Sequence, residues 1–194
     1  MKRLSLYLFL IFFTLQTPSQ ADDIRDFEIE GMSIGDSLLD HFSNEFINEA
    51  KRYIYKDKKY FSIYKSLSNS IYDGIQVTVN SDYIIHSFAG KIFYDNNISQ
   101  CYEKMVSIEE DLDKLFPDAE TRKENRKHRA DSTGKSTIKE KAYFFKSGDA
   151  IQISCNDWSK FKHKITGEIM NYTDELKISI YSTKFIDFLN DENY

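Results

Sequence analysis

The chain has 194 residues, a formal net charge of −5 and 41% hydrophobic content, enough for one hydrophobic core but too little for a comfortable pair. Its acidity disfavours general attraction to nucleic acid or anionic lipid. Two prolines, Pro18 and Pro117, in a chain rich in aromatics exclude a proline-rich or low-complexity protein.

The first 21 residues read as a secretory leader. Met1-Lys2-Arg3 is positive, Leu4 to Leu15 is apolar apart from Ser5 and Thr14, and Ser19-Gln20-Ala21 offers the small residues a signal peptidase reads. The apolar run is about 12 residues, short of the roughly 20 that span a bilayer, and no later segment is long and apolar enough to do so. Cleavage after Ala21 leaves residues 22–194 as a single domain, periplasmic or secreted. Asp22 stands where a lipoprotein carries its cysteine, which argues against a lipid anchor.

Phe27-Glu28-Ile29 reads as the end of a first strand, followed by Gly31. Ser33 then caps a helix, with Asp36 supplying first-turn negative charge. Leu38, Leu39, Phe42, Phe46, Ile47, Ala50 and Ile54 recur at three- and four-residue steps and predict a helix over 34–54. Three strands follow, Tyr60 to Lys65, Gly74 to Val79 and Tyr83 to Tyr94, separated by turn residues. Gly90 inside the third marks a bulge, a bend or a close approach. Ser99 caps a second helix whose apolar stripe is Cys101, Met105, Ile108, Leu112, Leu115 and Phe116, ending at Pro117, with Glu109-Glu110-Asp111 and Asp113 on its outer face. A charged loop near 118–140 follows. Tyr143 to Lys146 and Ala150 to Cys155 flank Ser147-Gly148-Asp149 as a hairpin. Residues 160–173 carry no clear period. Leu176, Ile178 and Ile180 alternate against Lys177, Ser179 and Tyr181 as a half-buried strand, and Thr183 opens a terminal helix burying Phe185, Ile186 and Leu189. The order predicts an α+β fold, an antiparallel sheet with two main helices packed on it and a short C-terminal helix, whose two halves faintly echo each other.

Cys101 and Cys155 are the only cysteines, and both face inward from different layers. In an exported protein they predict a disulfide tying the second helix to the sheet.

Candidate chemistry is sparse. Gly31-x-Ser33-x-Gly35 matches the letters of a nucleophile elbow and makes Ser33 the one weak catalytic candidate, though the elbow needs a buried strand before it and a larger parallel sheet around it. Gly134-Lys135-Ser136 ends like a phosphate-binding loop but has Arg129 where the first glycine belongs. His41, His86, His128 and His163 share no ligand spacing, so no metal and no cofactor are expected. Residues 121–141 hold eight cations against three carboxylates. Arg122, Lys123, Arg126, Lys127 and Arg129 form the candidate basic loop for an acidic partner.

The run Phe27 to Leu39, then Ala89-Gly90-Lys91-Ile92, the Cys101 helix and Cys155 to Trp158 together resemble a group of uncharacterised secreted bacterial proteins. The Gly31-Met32-Ser33 turn is weakly similar to small envelope-assembly lipoproteins and β-lactamase-inhibitor-like domains. That resemblance implies a turn starting a helix that packs on an antiparallel sheet. The expected function is a non-enzymatic binding protein of the cell envelope, its partner a protein or an envelope component and not nucleic acid. A small secreted hydrolase and a small-ligand-binding protein are the alternatives.

Overall fold

Eight antiparallel strands form one sheet in a computed structural model that describes residues 24, 27–55, 58–95, 97–162 and 167–191. The leader lies outside the described residues. A 3-10 turn, Leu38–Asp40, precedes helix α1, Asn44–Ala50, and then come β1, Lys51–Ile54; β2, Tyr60–Ser66; β3, Gly74–Asn80; and β4, Ile85–Tyr94. Helix α2, Ile98–Leu115, leads to β5, Glu120–Lys127; β6, Thr137–Phe144; β7, Ala150–Asp157; a two-residue pair, β8, Phe161–Lys162, with β9, Ile169–Met170; β10, Asp174–Tyr181; and helix α3, Thr183–Asp191. The sheet order is β1-β2-β3-β4-β10-β7-β6-β5. Each half is a helix followed by a four-strand meander, and the last strands, β4 and β10, pair at the centre. The echo between halves is therefore a repeat of topology, with helices of 7 and 18 residues packing differently.

Register assigns every side chain to one of two faces, because directly opposed residues of an antiparallel ladder point the same way. On one face Ile75, Val77, Phe88, Leu176, Ile180, Ile151 and Ile153 meet Leu38, Ile47, Cys101, Met105 and Leu112 in one core. Helices α1 and α2 cover this face. The Cys101–Cys155 disulfide forms within it, Cα atoms 6.0 Å apart, both cysteines fully buried. Helix α3 lies on the other face, where Phe185 and Phe188 pack with Tyr60 in a second, smaller cluster. Among the described residues no helix is long and apolar enough to cross a membrane.

The predicted α+β class and strands 60–65, 74–79 and 175–182 are present, within a residue or two of their bounds. Other expectations are corrected. The helix over 34–54 does not form as one element. Ser37 accepts from the Leu39 amide and Ser43 from the Phe46 amide, so two caps restart the chain, and residues 51–54 leave as a strand. Helical spacing alone cannot show that a cap interrupts it. Phe27–Ile29 forms no strand, only an isolated bridge between Ile29 and Met32. Asn97, not Ser99, caps α2. The third strand starts at Ile85, because Tyr83 has a positive φ of 64°. The bulge lies at the β3–β4 step from Thr78 to Val79, which passes over His86. Gly90 serves a close approach instead. A Cβ there would sit 2.3 Å from the Tyr72 ring, which burial and Glu30 push up to a pKa of about 12.

The charged loop is also corrected. Residues 120–127 form β5 and pair with β6 over eight consecutive positions. The strand lacks hydrophobic alternation because it is the sheet's edge and nearly all of it is exposed, so neither face has a core to fill.

Candidate functional site

Ser33 sits in a turn that no strand enters and no helix leaves. Its hydroxyl donates to the Phe27 carbonyl at 3.2 Å and its amide to Asp36 Oδ2 at 2.8 Å. Gly31 and Gly35 supply positive φ angles of 73° and 97°, and His41 Nε2 is 3.7 Å from Asp36. Asp36 thus caps the amide of Ser33, the reverse of the polarity expected, and the Ser33 hydroxyl holds the turn to Phe27.

Gly134-Lys135-Ser136 does make a ring of inward amides, but the anion inside it is the chain's own. Asp131 accepts from the amides of Thr133, Lys135 and Ser136 and from both hydroxyls, at 2.7 to 3.2 Å. Burial pushes its carboxyl up, yet these donors together hold it far below the usual carboxylate range. The turn is filled, leaving no nest for a phosphate.

The five candidate basic residues do not form one patch. Alternation along β5 sends Arg122 and Arg126 to one face and Lys123 and Lys127 to the other, while Arg129 lies in the turn beyond. Lys123 meets Glu109 at 2.6 Å, Arg126 meets Glu140 at 3.0 Å, and Arg122 lies 5.7 Å from the Phe144 ring centre. Glu109 is buried, and Asp113 turns to Lys141 and Tyr143, so neither belongs to a freely solvated outer face as expected.

The feature that individual motifs miss is the sheet face away from α1 and α2. Its centre is paved with small buried side chains: Ser62 and Thr78, bonded at 2.7 Å, with Ser87, Ala89, Ser154 and Ser179. Longer half-buried groups rise around them, including Tyr64, Gln76, Gln152, Tyr181, Lys91 and Lys177. Lys91 and Lys177 are directly opposed across β4 and β10, a like-charge pair that costs stability where it stands. Lys91 is held by Glu175 at 3.0 Å, and Asn156 donates to the same carboxylate at 2.9 Å. Lys177 has no acceptor within hydrogen-bonding distance among the described residues. Burial disfavours its charge, but Tyr181, Glu175 and Tyr55 outweigh this and raise its pKa. It remains an ammonium.

Aromatic groups close both ends of this floor. At one end Tyr60 packs with Phe185 and Phe188 and lies edge-on to His86, whose Nδ1 lies 3.0 Å from Ser182 Oγ. At the other, the His128 and Trp158 rings lie 3.9 Å apart, tilted by 45°, and Trp158 also meets Phe161 and Tyr172. Trp158 is fixed by its amide to Asp174 at 2.8 Å. Both imidazole pKa values are lowered, His86 by burial and Lys184, His128 by burial and Arg126 against the pull of Glu175 and Asp131. A lowered imidazole pKa means the unfolded chain binds more protons as pH drops below about 6.5. Stability is therefore expected to fall as pH drops below about 6.5. Thermal melts of the parent and of a His86→Asn/His128→Asn variant check this; equal slopes in the two would remove the histidines as its cause.

A separate groove of about 520 Å³ lies beside α2, lined by Tyr102, Asn125, Arg126, Lys127, Thr137 and Lys139. Three of its six lining residues, Arg126, Lys127 and Lys139, are cationic. Among the described residues no three metal-ligating side chains converge. Set against known proteins, the chain matches no family model, no curated protein and no solved structure.

Proposed function

We propose that this chain is an exported, non-enzymatic binding protein of the cell envelope, and that a protein partner seats acidic groups on the sheet floor. The single observation behind this reading is Lys177. It is a charged, half-buried ammonium without a hydrogen-bonded acceptor among the described residues, directly opposed to Lys91 on β4 and to Ser154 on β7. The two ammoniums repel each other, and Lys177 still has donors to offer a partner carboxylate, which would offset that repulsion. The leader-like first 21 residues support export, and the disulfide accords with an oxidising compartment.

A photo-crosslinking residue at Gln76 or Gln152, on the floor, tests the reading against one at Val106, exposed on α2. In cells the floor positions are expected to give a discrete protein adduct that Val106 does not, and Lys177→Glu is expected to abolish it. Adducts of equal yield from all three positions, or none from the floor, would reject the floor as the binding surface.

A further inference from the structure

The two edges of the sheet differ. β1 has four residues and a register shift, whereas β5 has eight, paired to β6 without a bulge, with its outer edge unpaired among the described residues. Long regular edges invite another strand, and proteins normally blunt them with lysines, bulges or cover. On β5 the charges do not simply repel. Glu120, Arg122, Glu124 and Arg126 share the floor face and alternate in sign, while Thr121, Lys123, Asn125 and Lys127 share the other.

Within the chain this stripe is unfinished. Glu124 stands directly opposite Glu140, whose own cation is Arg126 at 3.0 Å. Neither Glu120 nor Glu124 has a hydrogen bond or ion pair among the described residues, and Arg122 has only the Phe144 ring.

We infer that β5 pairs with β5 of a second copy of this chain, antiparallel, through a two-fold axis at Lys123. An axis relating two antiparallel edges stands perpendicular to the sheet, so one residue must face itself across it. With Lys123 on the axis, Glu120 faces Arg126 of the second copy and Arg122 faces Glu124, each twice. Every charge of the stripe meets its opposite. Moving the axis to Arg122 opposes Glu120 to Glu124, and moving it to Glu124 opposes Arg122 to Arg126. Both put like charges together. The one like pair of the favoured register, Lys123 with itself, is relieved because each Lys123 is drawn to Glu109 at 2.6 Å. The dimer continues the sheet across the axis and leaves both floors facing the same way. It does not depend on the floor being a binding surface.

Exposed ion pairs are individually weak and screened by salt, so the dimer should be salt-sensitive. Sedimentation of the purified protein is expected to show a dimer at low ionic strength that dissociates at about 1 M salt, where the screening length is ~3 Å. Glu120→Lys/Glu124→Lys should weaken it roughly a hundredfold, as should Arg122→Glu/Arg126→Glu. Mixing the two variants should restore a heterodimer, since one stripe is then wholly positive and the other wholly negative. Lys123→Cys should form an intermolecular disulfide under mild oxidation, whereas Thr121→Cys should not. A parent that is monomeric at low salt would overturn the inference. So would variants that remain dimeric, or folded variants that do not associate when mixed. Circular dichroism confirms that each variant is folded.

Discussion

Loss of the Cys101–Cys155 bridge is expected to cost about 4 kcal/mol, the largest single effect in this protein. The bridge spans 54 residues of sequence, and closing a loop of that size in the unfolded chain removes entropy worth about that much at 25 °C. The loop contains most of α2 and all of β5 and β6, so the link joins the second meander to the helix that covers it. With a urea slope of about 2 kcal/mol/M, the midpoint should fall by about 2 M. Cys101→Ala, Cys155→Ala and the double variant should have closely similar midpoints, since each removes the same link. Both sulfurs are buried, so reduction of the native protein should be slow until denaturant opens it. A double variant with the parent's midpoint would show that the bridge contributes nothing.

Asp113→Ala should be the next most damaging change, at about 2–3 kcal/mol, because of what it leaves behind. Lys141 points from β6 under α2 and is 4% exposed, and its ammonium is bonded to the Asp113 carboxylate. The Tyr143 hydroxyl donates to the same carboxylate at 2.8 Å and lies 3.2 Å from the Glu109 carbonyl. Without Asp113 the ammonium keeps, among the described residues, the Tyr143 ring 4.8 Å away for its charge. The cost falls short of that for a wholly buried pair because Asp113 is half exposed and water reaches its side. Asp113→Ala/Lys141→Met should recover much of the loss, since an apolar chain of similar length removes the unpaired charge. Lys141 is the main group holding the Asp113 carboxyl below its usual range, with burial opposing and Tyr143 assisting. The pair's contribution is therefore complete above pH ~4 and lost as pH falls through the carboxylate range. Urea midpoints of the two single variants and the double variant measure the coupling; additive losses would show that the two residues act separately.

Much of the fold was legible because its strands alternate clearly. Leu176, Ile178 and Ile180 against Lys177, Ser179 and Tyr181 is a two-sided pattern, and the strand forms with those faces. The same rule fails on Glu120–Lys127, where both faces are polar and only pairing to β6 makes a strand. Helical spacing misled over 34–54 because Ser37 and Ser43 restart the chain inside an apolar pattern that persists across the break. The candidate site was legible only in fragments. Ser154, Ser179, Ala89 and Thr78 are unremarked alternate positions of four strands and become one surface when β7, β10, β4 and β3 are set side by side.

Local chemistry determined the inward face of each regular strand, the turn at Ser147-Gly148-Asp149, and the placing of both cysteines toward the interior. Period and turn type are properties of neighbouring residues, so one chain suffices to read them. Tertiary structure alone decided that β4 and β10 pair at the centre, that Lys91 meets Lys177, that Asp131 fills its own loop, and that β5 is left as an edge. Each of these depends on contacts between distant segments, chosen by how whole faces pack and by which strand is left without a neighbour.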